Sequence, residues 1–544
     1  MPSTSSRSSW ARAIGREVNS GPRHPPSTGD PDDGGAMMLR GTVTALLVLA
    51  APGWCYTFLC HDPAVGINAQ RHGGIEGRVA RWAMTGPAET VITYRVDPRP
   101  PEGMDPLGPP EEIVAAVRAA FAAWEIPEAS VRFEHAGLAE GTEAFDGLNI
   151  VTFRPRSTPP PGFEWAIFPV AYYAGDEVAA AALPGSASAR VGTTLDCDLV
   201  VHTGGAFTLA ENPQDDASVL SLRGILTHEI GHMLGLDHSP IGGSTMYAYA
   251  TWGSGFGHPT LTADDRMGLA SLYPARHFHA LHGQVRGQVT DASGEPVSGA
   301  HVVAMDAHTG VVVAGAISGL AAEDELGRPD RFSLESGEYR IHLPPGRYRL
   351  LVEPIGHPAQ GLPYLSGIHG SASGSGSYID GGWAPVLDAT PVRVRARGTT
   401  RRDVQIDRAT PDLPVLDRRQ SRILAGDHSR WTSPAAVARG TNVRVRCRLG
   451  QGEGERGSAE LSFLGPGITV VDSGPGEDPR DLELALGISP VAPVGLRTLR
   501  LQAPAGVSYF PGFLEILPSP ATESKPAAWH PKGVGLLAPN SAGQ

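Results

Sequence analysis

The residues His228–His238 read HEIGHMLGLDH, and their spacing decides how the fold of this chain is interpreted. His228 and His232 lie four positions apart. On a helix, side chains at this spacing project from one face, so both rings can bind the same metal ion. Glu229 lies beside them, within reach of a water molecule that such an ion would hold. We therefore expect a helix that carries a zinc site.

A third ligand is expected just after this helix. Gly235 can adopt the left-handed backbone conformation that ends a helix, and the resulting turn brings His238 back to the metal. Three protein ligands leave the fourth position open for water, as in catalytic rather than structural zinc sites. An H-E-x-x-H stretch alone also occurs on ordinary amphipathic helices, but the glycine and the third histidine disfavour that interpretation. Glu229 is the expected general base.

The residues after His238 extend the pattern. Ser239 follows the third histidine, and Ser244–Tyr247, which read STMY, have the form of a Met-turn. Together with the histidine stretch, they resemble the metzincin metallopeptidases and, among them, the matrixins. The resemblance implies a zinc metalloendopeptidase with one catalytic Zn²⁺, in which Glu229 is the general base for a metal-activated water and Met246 packs beneath the zinc. Ca²⁺ is compatible with the family, but its ligands cannot be assigned in this sequence.

The segment Leu261–Pro274, LTADDRMGLASLYP, resembles the closing helix of a matrixin. Its paired aspartates have two interpretations. In the family, one of the pair can anchor the N-terminal ammonium of the mature enzyme. Asp264 and Asp265 fit equally well as first-turn acids, which the helix dipole favours. Both interpretations stay open at the level of sequence.

Upstream segments also fit a matrixin catalytic domain. Ile113, Val117, Phe121 and Trp124 recur at helical spacing behind Pro109–Pro110, which predicts a helix with one apolar stripe. Asp196–His202 resembles the edge strand that precedes the active-site helix in bacterial matrixins. Three more segments predict strands: Val91–Val96, Val131–Phe133 and Asn149–Phe153. We expect an α+β metzincin (zincin-like) domain over residues 86–276, able to fold and cleave peptides alone.

Two features of vertebrate matrixins are missing. Residues 155–195 contain no histidine, so a second, structural zinc is not expected. The Pro-Arg-Cys-Gly peptide that keeps family zymogens latent is also absent, which leaves the latency mechanism open. Cys60 is the nearest candidate for such a switch, although a disulfide with Cys55 is the simpler explanation. The pairing of Cys55, Cys60, Cys197 and Cys447 is not determined by sequence.

Beyond Pro274 the pattern becomes that of β-modules. Gly283–Val302 alternates apolar and polar residues around a Ser-Gly turn, which predicts a hairpin. Together with Gly337–Leu350 it resembles the carboxypeptidase regulatory-like domain, so we expect an all-β sandwich over 280–410 with a Gly/Ser-rich insertion. A second all-β, Ig-like sandwich is expected over 412–518. There, Arg444, Arg446 and Arg448 form either a basic stripe for an acidic glycan or the solvated face of a strand.

The N-terminal region has the pattern of an exported protein. A short apolar run within residues 37–53 predicts a signal peptide, because it is too short to span a bilayer. Residues 1–36 are then a disordered extension or the product of a mis-assigned start codon. Residues 54–85 are expected to be a short pro-segment or linker, and 519–544 a disordered tail. No transmembrane anchor is expected in the mature chain, which we expect to be secreted.

Composition limits the partners and leaves two functions in view. The net charge is −13 with no dense basic run, which excludes nucleic acid as an expected partner. The first hypothesis is a secreted endopeptidase that acts on protein or peptide, with β-modules that bind an extracellular surface or matrix ligand. The alternative is a catalytically silent adhesion protein that keeps the metzincin fold as a scaffold. The sequence does not specify substrate or oligomeric state.

Overall fold

The computed structural model describes most of the chain between Phe58 and Ser519. Its longest gaps are residues 68–76, 155–166, 174–191, 211–219, 248–259, 355–382, 408–415 and 450–459. The described residues all belong to the unit 43–544, whereas the unit 1–42 lies outside the description. The predictions for the extension 1–36, the signal peptide 37–53, the Gly/Ser-rich insertion and the tail beyond Ser519 therefore fall outside the described residues.

Four short strands precede the expected catalytic domain: β1 (Cys60–Asp62), β2 (Gly66–Ile67), β3 (Gly77–Val79) and β4 (Arg81–Trp82). They lie in the segment that the sequence assigned to a pro-segment or linker. The switch and disulfide predictions remain untested, because Cys55 and the side chain of Cys60 are outside the described residues.

A mixed sheet and three helices form the region of the zinc-site motif. Its elements are β5 (Thr90–Asp97), α1 (Pro110–Ala122), β6 (Val131–Leu138), β7 (Asn149–Arg154), β8 (Ile167–Tyr173), β9 (Thr193–His202), β10 (Phe207–Thr208), β11 (Leu220–Ser221), α2 (Leu222–Met233) and α3 (Ala263–Leu272). The sheet order is β4-β9-β7-β5-β6, with β8 antiparallel on β9. The first strand and the two that follow it lie where the sequence predicted them.

Helix α1 forms where its apolar stripe predicted it. Pro110 occupies the first turn, where its missing N–H costs no helical hydrogen bond, and two glutamates there complement the helix dipole. The four stripe residues Ile113, Val117, Phe121 and Trp124 are all buried. The Trp124 Nε1 also donates to the Thr227 carbonyl oxygen at 2.7 Å, which ties α1 to the helix that carries the histidines.

The expectation that Asp196–His202 is an edge strand is wrong. Strand β9 pairs with β7 and β4 in parallel and with β8 in antiparallel register. Its consecutive residues Leu199, Val200 and Val201 are all buried, as expected for a strand covered on both faces. The prediction failed because strand β8 adds a further strand outside β9, and sequence alone did not identify it.

Two sheets lie wholly within the second region. A short helix, α4 (Phe278–Leu281), leads into β12 (Gly283–Thr290), β13 (Ala300–Asp306), β14 (Val312–Ile317), β15 (Leu320–Glu323), β16 (Pro329–Phe332), β17 (Glu338–Leu343), β18 (Gly346–Pro354), β19 (Val386–Leu387), β20 (Val392–Val394), β21 (Thr399–Arg401) and β22 (Val404–Gln405). One sheet has the order β17-β12-β21, with β22 also on β12. The other has the order β14-β13-β18-β19, with β20 on β18.

The predicted hairpin between residues 283 and 302 forms only next to its turn, where Thr290 and Pro296 make an antiparallel bridge, and β12 and β13 do not pair with each other. Strand β12 pairs with β17, β21 and β22, whereas β13 pairs with β14 and β18 in the other sheet. A tight turn does follow Thr290, where the Asp291 N–H bonds to the Glu295 oxygen at 2.9 Å. The chain then crosses to the second sheet, because both strands bury one face in the same hydrophobic cluster, through Val285 and Val302 respectively.

The third region also has two sheets, with the orders β24-β23-β26-β29-β28 and β25-β31-β30-β27. Its strands are β23 (Leu416–Ala425), β24 (His428–Trp431), β25 (Ala435–Ala438), β26 (Asn442–Leu449), β27 (Glu460–Phe463), β28 (Ile468–Pro475), β29 (Asp481–Ile488), β30 (Gly495–Ala503) and β31 (Gly506–Leu517). On β26, the Arg446 guanidinium pairs with Glu483 at 2.6 Å, which removes part of the predicted basic stripe. Cys197 and Cys447 are buried free thiols.

The segment 77–82, here called the linking segment, joins the first two regions. Strand β3 pairs with β16 of the second region, and β4 pairs with β9 of the first region's sheet. The Arg81 side chain is buried and pairs with Asp324 at 2.7 Å. One sheet thus runs from the second region through β3 to β1 and β2. Removing one partner of a buried, hydrogen-bonded ion pair of this kind strongly destabilises the folded protein.

A small hydrophobic cluster joins all three regions. It contains Ile241 from the chain just after the third histidine, four residues of the second region, and Leu496 and Tyr509 of the third. Next to it, the Gly242 N–H donates to the Pro511 oxygen at 3.0 Å. A Cβ at Gly512 would lie 1.8 Å from the Gly242 oxygen, so only glycine permits this approach. These contacts argue against the expectation that residues 86–276 fold alone.

We predict that Ile241→Ala lowers the free energy of unfolding of the full chain by about 2–5 kcal/mol, the range for truncating a fully buried aliphatic side chain. Ile241 is fully buried. Denaturant unfolding of the purified protein measures the change. Leu138→Ala is the matched control, because Leu138 is 61% exposed and its truncation should change stability by less than about 0.5 kcal/mol. Equal stabilities of the two variants would contradict a shared core at this junction.

Candidate metal centre

Helix α2 is capped at both ends by local hydrogen bonds. Ser221 precedes the helix, and its hydroxyl oxygen accepts the Gly224 N–H at 3.2 Å. At the other end, the Leu236 N–H bonds to the Gly231 oxygen at 3.0 Å and the Gly235 N–H to the His232 oxygen at 2.9 Å. This pair of bonds is the Schellman arrangement, in which the residue after the cap is left-handed. It ends the helix and reverses the chain toward His238.

Gly235 is required at this turn for two reasons. Its φ of +93° lies in the left-handed region that side chains rarely adopt. In addition, a Cβ there would lie 2.1 Å from the Ala80 oxygen of the linking segment. The sequence predicted the first reason, but the second depends on packing between residues that are distant in sequence.

The three histidines that the sequence predicted as ligands come together in the structure. The Nε2 atom of His238 lies 2.9 Å from that of His228 and 3.1 Å from that of His232. Tetrahedral zinc ligands at about 2.0–2.1 Å from the ion require nitrogens about 3.3–3.4 Å apart. All three rings are buried, and within the described residues they are the only group of three or more His, Cys, Asp or Glu side chains arranged to hold a metal ion.

Backbone carbonyls orient two of the rings. The Nδ1 of His228 lies 2.7 Å from the Thr245 oxygen, and that of His232 lies 2.9 Å from the Leu236 oxygen. Because a carbonyl can only accept, each Nδ1 must carry the proton, and each Nε2 presents its lone pair. Burial lowers the pKa of all three imidazoles, which favours the neutral form that binds metal.

The environment of Glu229 is typical of a side chain that contacts a bound ligand. The side chain is buried, and its Oε2 has no hydrogen-bond partner among the described residues. Burial raises the pKa of this carboxyl well above its usual value. A divalent cation close by would favour the ionised form and offset that shift. The donor set of three neutral imidazoles, together with an unpartnered buried carboxylate, therefore fits a zinc ion.

Met246 lies beneath the histidine helix, as expected for a Met-turn. A Cβ at Gly231 would lie 2.2 Å from the Met246 sulfur and 2.8 Å from the Trp124 ring. Gly231 is therefore the residue that lets both side chains pack against the helix between its two histidines. The Ser239 N–H bonds to the Met246 oxygen at 2.6 Å. This backbone hydrogen bond attaches the turn to the loop that carries His238. We did not predict a role for Gly231 from the sequence.

Asp265 is a helix-capping residue with a second role. Its carboxylate accepts hydrogen bonds from the Thr262 N–H and hydroxyl, which forms a capping box at the start of α3. It also accepts the backbone N–H groups of Thr245 at 2.8 Å and Met246 at 3.0 Å. The first-turn interpretation therefore describes Asp265, but the carboxylate also holds the Met-turn.

Asp264 connects the ligand loop to the second region. One carboxyl oxygen accepts the Ser239 hydroxyl at 2.7 Å and the other accepts the Gly315 N–H of β14 at 2.8 Å. Burial and the nearby Asp265 raise its pKa to about 8. Anchoring of an N-terminal ammonium by either aspartate stays a prediction, because the N-terminus lies outside the described residues.

The comparisons with known proteins agree with this geometry. Residues 175–274 match the matrixin family. Residues 284–407 match the carboxypeptidase regulatory-like domain, so both recognitions and their order are confirmed. The matrixin match includes the histidine helix, the Met-turn and α3, whereas β5, α1, β6 and β7 precede it. No curated protein gives a significant match.

Several solved structures resemble about two fifths of the chain. A chimeric titin tandem is 11% identical, covering 41% of this chain and 85% of its own, with a TM-score of 0.12. The major pilin subunit of Bacillus cereus is 8% identical over 42% of this chain and 66% of its own, with a TM-score of 0.11. A streptococcal ancillary pilin is 16% identical over 44% and 62%, with a TM-score of 0.14.

We predict that His232→Ala abolishes tight zinc binding, because a site with three protein ligands has no spare imidazole. Metal analysis of the purified protein after dialysis should give about one zinc per wild-type molecule and almost none for the variant. His308→Ala is the matched control, since His308 is exposed and outside the triad. A His232→Ala protein that keeps one tightly bound zinc would contradict the assignment of His232 as a ligand.

A second prediction concerns pH and Asp264. Because its folded pKa of about 8 lies above the ordinary value of 3.8, the folded state holds this proton more tightly than the unfolded state does. Its contribution to stability is therefore lost as pH rises from about 4 to about 8. Asp264→Asn removes this titration, so its stability relative to wild type should increase between about pH 5 and about pH 8.5 in urea unfolding. A difference that is independent of pH would contradict a raised pKa.

Proposed function

We propose that this chain is a secreted zinc metalloendopeptidase. The observation that carries the proposal is the convergence of the Nε2 atoms of His228, His232 and His238 beside the buried, unpartnered carboxylate of Glu229. The matrixin match supports a metallopeptidase activity. We further propose that an α+β metzincin domain is followed by two β-sandwiches, in agreement with the two sheets in each later region.

The three imidazoles would hold the zinc ion through their Nε2 atoms. When bound, zinc polarises a substrate carbonyl and lowers the pKa of water toward about 7. The protein's contribution is to keep the rings neutral through burial and to orient them, and the Thr245 and Leu236 oxygens orient His228 and His232. Since the rings are fixed in advance by the fold, binding requires little reorganisation of the site.

Glu229 would act as the general base. It follows His228 on the same helix, and its unpartnered oxygen can accept a proton from the attacking water. The same carboxyl can then donate that proton to the departing amine. A carboxyl whose pKa is raised by burial is a better proton acceptor than an exposed one, so its environment suits this role.

The alternative, a silent metzincin scaffold for adhesion, is less well supported. A scaffold has no need for a buried carboxylate without a hydrogen-bond partner, because such a group costs stability. Glu229 therefore favours the enzyme. We propose protein or peptide as the substrate, and an extracellular surface or matrix as the place of action. Within the described residues, no helix is long and apolar enough to cross a membrane.

We predict that Glu229→Gln keeps about one zinc per molecule and loses activity by several orders of magnitude, since general acid–base catalysis alone contributes about 100–10,000-fold. The substitution keeps the size of the side chain and removes the base. Activity is measured on a diverse peptide library by mass spectrometry, with and without a chelator. Glu140→Gln, at a side chain that is 82% exposed, is the control and should cleave like wild type.

Two results would count against this function. Cleavage by wild type that survives complete removal of metal would exclude a zinc mechanism. A zinc-loaded Glu229→Gln protein with most of the wild-type rate would assign the base to another residue. If wild type holds zinc but cleaves nothing in the library, the scaffold alternative is favoured.

A further inference from the structure

An arginine-rich groove lies on the second region, away from the histidine site. It has a volume of about 740 Å³ and opens between strand β18 and the segment around β20. The residues that line it are Pro345, Gly346, Arg347, Pro391, Arg393, Val394, Arg395 and Ala396. Three of these eight residues are arginines, and no acidic residue is among them.

The arginines are placed close together by the strand register. Arg347 on β18 lies directly opposite Arg393 on β20 in an antiparallel pair. Like charges at directly opposite positions destabilise a sheet, so this pair costs stability in the absence of an anion. Arg349 follows Arg347 on the same face of β18, and Arg395 follows Arg393. All four side chains are exposed.

Nothing in the described part of the chain neutralises this charge. None of the four arginines forms an ion pair or a side-chain hydrogen bond with another described residue. Nearby arginines do: Arg402 pairs with Asp388 at 2.7 Å, and Arg401 with Asp403 at 3.0 Å. In a protein with a net charge of −13, an unneutralised cluster of four arginines is a local reversal of sign. Such a surface attracts anions.

The lining indicates which kind of anion. The uncharged residues are prolines, glycine, valine and alanine, so the groove offers no aromatic ring on which a nucleic-acid base could stack. None of the large hydrophobic side chains that are exposed among the described residues lines it, so it lacks the apolar anchors of a protein interface or a membrane-inserting surface. Recognition must therefore rest on charge and hydrogen bonds from guanidinium groups, which match carboxylate and sulfate oxygens.

We propose that this groove binds a linear acidic polysaccharide that carries carboxylate or sulfate groups. Arg347 and Arg349 are two residues apart on one strand face, which spaces them by about 7 Å. Arg393 on the neighbouring strand β20 and Arg395 just after that strand extend the row. A row of this kind can contact successive anionic groups along one polymer. Binding at this surface is independent of the histidine site and of peptide cleavage.

The test compares the full chain with a double variant, Arg347→Gln with Arg393→Gln. Binding is measured to immobilised heparin, which is sulfated, and to polygalacturonate, which is carboxylated, with neutral dextran as the uncharged polymer. We expect wild type to bind one or both acidic polymers at about 0.15 M salt and the double variant to bind about tenfold more weakly. Binding should weaken as salt is raised, because it rests on charge.

The control variant removes the same charge elsewhere. Arg132→Gln with Arg401→Gln neutralises two exposed arginines that already pair with acidic residues, so it should bind like wild type. Thermal unfolding checks that both double variants remain folded. We expect unfolding temperatures close to that of wild type, because the substituted side chains are on the surface. The relative affinity for the sulfated and carboxylated polymers then shows which group the groove prefers.

Several outcomes would overturn the proposal. Absence of binding to both acidic polymers at low salt excludes it, as does equal binding by wild type and the Arg347/Arg393 variant. Equal weakening by the control variant would mean that net charge, rather than this groove, is responsible. Stronger binding to poly-glutamate, single-stranded DNA or anionic vesicles than to the polysaccharides would assign the groove to a different class of partner.

Discussion

The left-handed turn at Gly235 is the constraint on which the rest of the site depends. It ends the histidine helix after His232 and sends the chain back so that His238 reaches the other two rings. The turn is possible only without a side chain, both because of its φ of +93° and because the Ala80 oxygen occupies the space that a Cβ would need. The ligand geometry thus depends on a segment that lies outside the expected catalytic domain.

The same dependence continues after the third histidine. The chain there is held by Asp264, which also accepts a hydrogen bond from the second region, and by Ile241, which is buried against the second and third regions. Close glycine contact between Gly242 and Gly512 adds a backbone attachment to β31. The β-rich regions contribute no metal ligand among the described residues. They support the loop that carries one, because a short polar loop cannot bury enough surface to fix itself.

Solvent exposure differs between the two places where charge matters. At the histidine site, desolvation lowers the pKa of the imidazoles and raises that of Glu229, so the groups are neutral or poised to exchange a proton. On the second region, the side chains of Arg347 and Arg393 are exposed to water. The first environment suits chemistry on an uncharged amide, and the second suits long-range attraction of an anionic polymer.

Much of the site was predictable because its signals are local. Histidines four residues apart share a helix face, a glycine ends the helix, and an apolar stripe predicts α1, all within one or two turns of chain. Sequence could not reveal that β9 is covered by β8, that β12 and β13 enter different sheets, or that the Met-turn needs Gly231 and Asp265. Those features depend on which distant segments pack together, and pairing between strands is chosen by the buried surface of the whole fold rather than by the residues of either strand. The sequence by itself determined the chemistry of the ligands, whereas the tertiary structure decided what holds them in place.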